Sequence, residues 1–390
     1  MAIKLIKSSF YNEQEEKDKL CEFIKNSQQL SFWKYCKEFE KKFAEWQGRK
    51  YCVFVNSWSS ANLALLQSLL NLWKINKWDN IAFSSLTWST NVMPIIELWL
   101  RAIPIDVELS TLNISLNTFK KATETNSIKA LFITNLLGFC DNIDEIKEYC
   151  DEKWIILLED NCESMWTVYK WKKLWNYWFA STFSTYVWHH MSTIEWWMVC
   201  TDDEELYIML HMVRAHWWDR NLDPELQSKV REKYELDPFY AKYTFYTLWY
   251  NLRPNDISWF IGCQQIKYLD EIVDKRQNNF KKFVGILNSN DDFYQLKYNH
   301  IDIVSDFSVP VVCKSKEIFE KYLHKFNNVG VEVRPIVWWD LTQSIFWRNL
   351  YWELNKETNA KYIHNNWFYF WNSPEYTEEE IELLCSLLRK

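Results

Sequence analysis

Glycine is nearly missing, with five among 390 residues, where an ordinary chain carries about 7%. Tight turns and helix ends that need φ > 0 are therefore left without their usual residue. Long apolar runs are also lacking: none reaches the ~18 residues of a membrane span. The opening MAIKLIKSSFYNEQEEKDK has neither the apolar core nor the cleavage site of a signal peptide. The ten cysteines form no C-x-x-C or C-x-C pair, so neither a zinc site nor a disulfide framework is signalled and no metal is expected. The expectation is a soluble protein of a reducing, cytoplasmic compartment. Excess positive charge is absent too. A net charge of −7 gives no electrostatic reason to expect nucleic acid or an anionic membrane as partner.

What is present in excess is tryptophan, 25 residues of it. Many stand where the local chemistry asks for glycine, as in SWSSAN, EKWII, KWKKLWNYW, EWWMV, SWFIG, VWWDL and FWNSP. If all but Trp46, Trp88, Trp218 and Trp347 were glycine, 21 residues would change letter and the five glycines would become 26, an ordinary fraction. The expectation is a reassigned UGA codon that means glycine in the producing cell and is written here as tryptophan. The opposing reading, a tryptophan-rich protein, would have to put indoles into turns that disfavour any bulky side chain.

With 48% hydrophobic and 25% charged residues the chain can bury one large core or two unequal domains. Helical spacing covers 12–27 and 34–46. KYCVFV (50–55) reads as a buried strand, and NSWSS leads from it into the helix ANLALLQSLLNL. Ser57 or Ser59 can cap that helix, which makes its start either a phosphate cradle or an ordinary cap. Strands at 81–84, 102–106, 129–134 and 155–160 alternate with helices from Asn91 and near 117–125 and 142–152. Such alternation predicts a mostly parallel sheet sandwiched by helices, with ligands at the carboxyl ends of the strands. Asp160 lies at one such end, as a helix cap or a ligand group. Ser181–Thr201 reads as strand, turn and strand, with His189 and His190 at the bend, either solvated or aimed into a cleft. Segment 221–247 shows no periodicity and reads as an excursion. A helix is expected over 254–280, and strands at 307–313 and in VEVRPI, with the helices SKEIFEKYLHKFNN and TEEEIELLCSLLRK, predict a smaller α/β domain. The domains are placed at 1–268 and 269–390.

With the tryptophans read as glycine, the chain resembles the DegT/DnrJ-type sugar aminotransferase family over nearly its whole length. The motifs are NSWSSANL (56–63), TWST (87–90), LEDNCES (158–164), TFSTYVWHHMSTIEWWMV (182–199), WYNLRPND (249–256) and RPIVWWD (334–340). The resemblance implies a fold type I pyridoxal-phosphate enzyme (aspartate-aminotransferase-like) acting on nucleotide-linked keto-sugars, in deoxysugar and surface-polysaccharide biosynthesis. One position departs from the family pattern. Six residues before Glu195, where the family has the lysine that holds the cofactor covalently, this chain has His189. An imidazole keeps a proton carrier there and removes the amine. The chain thus resembles the lysine-to-histidine subgroup, the nucleotide-sugar 3-dehydratases. The missing C-x-C pairs point to the type without an iron–sulfur cluster.

The resemblance also implies roles. Asp160 would pair with the cofactor's ring nitrogen and Trp88 would stack on the ring, unless it is a core aromatic. The helix start at Trp58 and Ser59, with Ser184, would bind the phosphate; a literal Trp58 would fill that space. Asn251 would reach the phosphate from the partner of a homodimer with a shared active site. Glu163 would lie beside the ring, or be a solvated helix-start residue. His189 is the catalytic proton carrier, and a one-residue shift would give that role to His190. Arg253 and Arg334 would hold a nucleotide diphosphate or the carboxylate of an amino donor such as glutamate, or be surface ion pairs. The implied reaction is PLP/PMP-dependent 3-dehydration of a nucleotide-linked 4-keto-6-deoxyhexose. The alternatives are a sugar aminotransferase and a catalytically silent structural or regulatory homologue.

Overall fold

The computed structural model describes residues 3–31, 34–177, 179–216, 219, 222–237, 239–246, 248–335, 339–351 and 357–390. Among them, seven strands share one sheet: Tyr51–Val55 (β1), Asn80–Ser84 (β2), Arg101–Ile105 (β3), Ile128–Thr134 (β4), Ile156–Asp160 (β5), Ala180–Ser184 (β6) and Trp197–Thr201 (β7). Their spatial order is β1-β7-β6-β5-β4-β2-β3. Strands β3, β2, β4, β5 and β6 are parallel, and β7 runs antiparallel to β6 and β1. Every residue of β6 and β7 is buried, so both faces of the sheet are covered there. The register aligns Thr134, Asp160 and Thr182 across β4, β5 and β6, so the parallel strands present their carboxyl ends side by side.

A second sheet of three antiparallel strands, Ser308–Val312, Trp367–Trp371 and Val333–Pro335, packs against the helix Lys316–Asn328, which in turn meets the helix Glu378–Leu388. The first residues of the chain join this unit. The Ile3 amide donates to the Gly330 carbonyl and the Glu332 amide to the Ile3 carbonyl, while Lys7 pairs with Glu380.

Two sequence expectations change, and one strand was not anticipated. The helix over 254–280 is two helices, Asp256–Gln265 and Leu269–Ser289, with a 3-10 turn at Ile266–Tyr268 between them. The apolar spacing runs straight through that turn, so periodicity gives no sign of the break. Segment 221–247 contains a helix, Pro224–Lys233, whose proline at the first position is a start signal that its polar composition hides. The strand Trp367–Trp371 is wholly aromatic and buried, without the alternation that marks a half-buried strand. Among the described residues no helix is long and apolar enough to cross a membrane.

Candidate active site

Beyond the carboxyl ends of β5 and β6 lies a cavity of about 340 Å³, lined by Trp58, Trp88, Glu163, His189, Phe307 and Tyr369 among others. Each side chain arrives by a local rule. The apolar strand Ile156–Asp160 ends in its carboxylate, which does not itself line the cavity but is buried and tied to the lining residue Trp58; it accepts three hydrogen bonds, from the Cys162 amide at 2.9 Å, Asn91 Nδ2 at 2.8 Å and Trp58 Nε1 at 3.1 Å. Burial raises the Asp160 pKa, and these donors oppose the rise. The helix Trp58–Asn71 follows β1 directly. Ser57 caps it by accepting from the Ser60 amide at 3.2 Å, so the helix start, with Ser57 and exposed Ser59, opens onto the cavity.

The turn between β6 and β7 carries the histidines. The Thr185 amide donates to the Trp196 carbonyl and the Thr193 amide to the Thr185 carbonyl, closing the loop at its base. His189 faces the cavity, its ring 5.0 Å from Phe307 and edge-on to Trp58 at 6.2 Å. Burial first, and then the nearby Arg276 guanidinium, pull its pKa down to about 3, so the imidazole is neutral near pH 7. Its Nδ1 has no hydrogen-bond partner among the described residues. His190 turns away from this cavity: one ring nitrogen lies 2.9 Å from the Ser305 carbonyl.

The other expected residues divide. Glu163 lines the cavity and accepts from the Leu137 amide at 3.1 Å. Ser184 is buried at the end of β6, its hydroxyl accepting from the Tyr186 amide, and does not line the cavity. Asn251 is exposed and accepts from Arg253 Nε at 3.2 Å, both away from the cavity. Arg334 pairs with Glu332 at 2.7 Å and reaches over the ring of Trp188, a cavity-lining residue. In RPIVWWD, residues 336–338 lie outside those described, as does Trp218.

Sequence reasoning missed Asn91, Phe307, Tyr369 and Arg276. Asn91 directly follows the TWST turn and could have been read with it. Arg276 donates from Nη1 and Nη2 to the His189 carbonyl, each at 3.1 Å, and from Nε to the Asn372 carbonyl. Its helix position gave no sign of this. Nor did the sequence show the buried network in which Asn135 and Asn161 both donate to Glu159 at 2.6 Å, behind Asp160.

A buried carboxylate at a strand end beside a flat aromatic face is the pair of groups that a protonated pyridine ring needs. Most of the site fits such a ring. Trp58 does not: its indole is bonded to Asp160 and lies near-parallel to both Trp88 and Trp197, at 5.9 and 6.2 Å, so it occupies the groups such a ring would need.

Residues 11–389 match the model of the DegT/DnrJ/EryC1/StrS aminotransferase family. A GDP-4-keto-6-deoxy-D-mannose 3-dehydratase of Escherichia coli O55:H7 is 32% identical over 383 residues, covering 95% of this chain and 96% of that relative. A solved structure of the E. coli GDP-4-keto-6-deoxy-D-mannose-3-dehydratase with bound hydrated PLP superposes with a TM-score of 0.87 at 28% identity, covering 100% of both chains. A GDP-4-keto-6-deoxymannose-3-dehydratase with a trapped PLP-glutamate geminal diamine gives 0.86 at 28% identity, over 99% of this chain and 100% of that one. The mostly parallel α/β sheet read from the strand alternation and the aminotransferase-like fold implied by the resemblance are thus the observed ones, and the chain belongs to the DegT/DnrJ/EryC1/StrS aminotransferase family.

Proposed function

We propose that the protein is a PLP/PMP-dependent nucleotide-sugar 3-dehydratase that removes the C3 hydroxyl of a nucleotide-linked 4-keto-6-deoxyhexose. The GDP-linked sugar of its relatives is the first substrate to offer. One observation carries the reading. The basic group facing the cavity is neutral, buried His189, and no lysine is among the described residues that line it. Without a primary amine the cofactor cannot be held covalently, which suits a form that arrives and works as the free amine.

The cofactor, when bound, supplies an electron sink. The chain's part is to hold it and to move protons. Asp160 would face the ring nitrogen and Trp88 one face of the ring. The amides at the start of helix Trp58–Asn71, with Ser59 and Ser184, would hold the phosphate. His189 would take and return a proton through its imidazole, and Glu163 would lie beside the ring. Asn251, exposed here, would reach the phosphate of a second copy in a homodimer with a shared site. Arg253 and Arg334 would meet the nucleotide diphosphate or the carboxylate of glutamate as amino donor, and His190 keeps at most a substrate-side role. The division into domains at 1–268 and 269–390 belongs to the same proposal. So does a cytoplasmic location, which the ten unpaired cysteines support.

The test is to incubate the protein with PLP, glutamate and the GDP-linked 4-keto-6-deoxy sugar. Equal amounts of ammonia and 3-deoxy product are expected. An amino sugar formed without ammonia would make the protein an aminotransferase, and no turnover at all would leave a silent homologue.

A further inference from the structure

We infer that the functional protein carries glycine, not tryptophan, at position 58 and at positions 73, 78, 99, 154, 166 and 171. The inference rests on the proposed cofactor site only at position 58; the other six stand on backbone geometry. Thirteen non-glycine residues among those described have φ > 0, and six of them are tryptophan, although tryptophan is 25 of 390 residues. Their φ values run from 57° at Trp73 and Trp154 to 78° at Trp166. A bulky side chain there is an outlier, because Cβ crowds the neighbouring carbonyl.

The local hydrogen bonds say which residue these places need. The amide of Trp154 donates back to Cys150 and Asp151 at the end of helix Ile143–Lys153, and the next amide, of Ile155, to Cys150. The amides of Trp73 and Lys74 donate to Leu70 and Leu69 in the same way. Both are helix ends of the kind that glycine closes. Lys170 and Trp171, φ 48° and 63°, form the two-residue loop between Val168–Tyr169 and Lys172–Lys173, where two positive φ values in succession favour glycine at the second place. These indoles also gain nothing by packing: Trp73, Trp154 and Trp171 are 82, 87 and 87% exposed.

Position 58 is the inverse case. Its backbone is helical, but its indole holds Asp160 and the face of Trp88, the two groups a pyridine ring would take. Glycine there frees both and leaves the helix-start amides open. By contrast, Trp88 has an extended backbone at φ −88°, and Trp347 is buried in a helix and stacked on Tyr351 at 4.2 Å. These two stay tryptophan. A single cause covers the seven changes, namely a UGA codon that the producing cell translates as glycine.

Mass spectrometry of peptides from the protein made in its own cell is the first test. Glycine at the seven positions with tryptophan at 88 and 347 is expected, and tryptophan at 58 or at any of the six left-handed positions overturns the assignment. A second test expresses the chain as written and a version with the seven glycines. The glycine version should melt about 10 °C or more higher and keep added PLP through gel filtration, while the chain as written aggregates or elutes without it. Equal melting, or equal retention of PLP, overturns the inference. Failure of the dehydratase reading would show differently, as glycine at 58 and PLP retained but no ammonia released.

Discussion

At the scale of single residues the proposed function places the chemistry on His189 and Asp160, and their variants separate two roles. In a chain with glycine at 58, His189→Lys should attach PLP covalently, seen as label retained after borohydride treatment and acid denaturation. The parent should retain none, because imidazole offers no primary amine. Label trapped in the parent at another lysine would place the attachment point elsewhere. His189→Asn should keep PLP but lose on the order of 10²–10⁴ in dehydration rate, the usual worth of a positioned proton carrier. Full activity in that variant, with loss in His190→Asn, would move the role one residue along. Asp160→Asn should weaken PLP retention and largely abolish turnover; a rate within a few-fold of the parent would make Asp160 only a cap. His189 also titrates against the fold. Its folded pKa of about 3 lies below the ordinary ~6.5, so the unfolded chain binds more protons between these values. Its contribution is complete above pH 6.5 and is lost as pH falls towards 3, by at most about 1.4 kcal/mol per pH unit. Buried His190 and His211 shift in the same direction. Urea midpoints between pH 5 and 8 should fall towards acid, less steeply in His189→Asn; parallel profiles would contradict this. Asp160, Trp88 and His189 were legible in the sequence because each sits in a contiguous motif at a strand end or turn. Phe307 and Tyr369 were not, since only the packing of a distant sheet brings them to the cavity.

Between elements, the turn that bears His189 is fastened to the helix Leu269–Ser289 by Arg276. The Arg276 side chain is buried, and burial draws its pKa down to about 10. Nearby, Asn372 donates to the Asp306 carboxylate, whose pKa burial raises to about 8. Replacing Arg276 by methionine would leave the His189 and Asn372 carbonyls without these donors and Asp306 without its nearby cation. The expected cost is about 2–5 kcal/mol in urea unfolding, with a fall in turnover under native conditions. A loss under 1 kcal/mol would show that the turn stands alone. Sequence periodicity finds the strands of the main sheet within a residue or so, because long buried runs are unambiguous. It cannot see Arg276, since a cation on an amphipathic helix reads the same whether it meets water or a backbone carbonyl.

For the whole molecule, Phe239, Tyr240, Tyr243, Phe245 and Leu248 are exposed, close in sequence to Asn251. Exposed apolar side chains so close to Asn251 are where the proposed homodimer would be joined. The glycine version should sediment as a dimer, and Asn251→Ala should weaken PLP retention without changing that mass. A monomer that turns over at the full rate would remove the shared site. The tryptophans reach beyond the fold, into where the gene can live. A ribosome that takes UGA as a stop signal would release the chain no later than position 58, with β1 at most and none of the six strands that follow. Such a gene is silent in any recipient that keeps the common code, and the enzyme can pass only among cells that share its dialect.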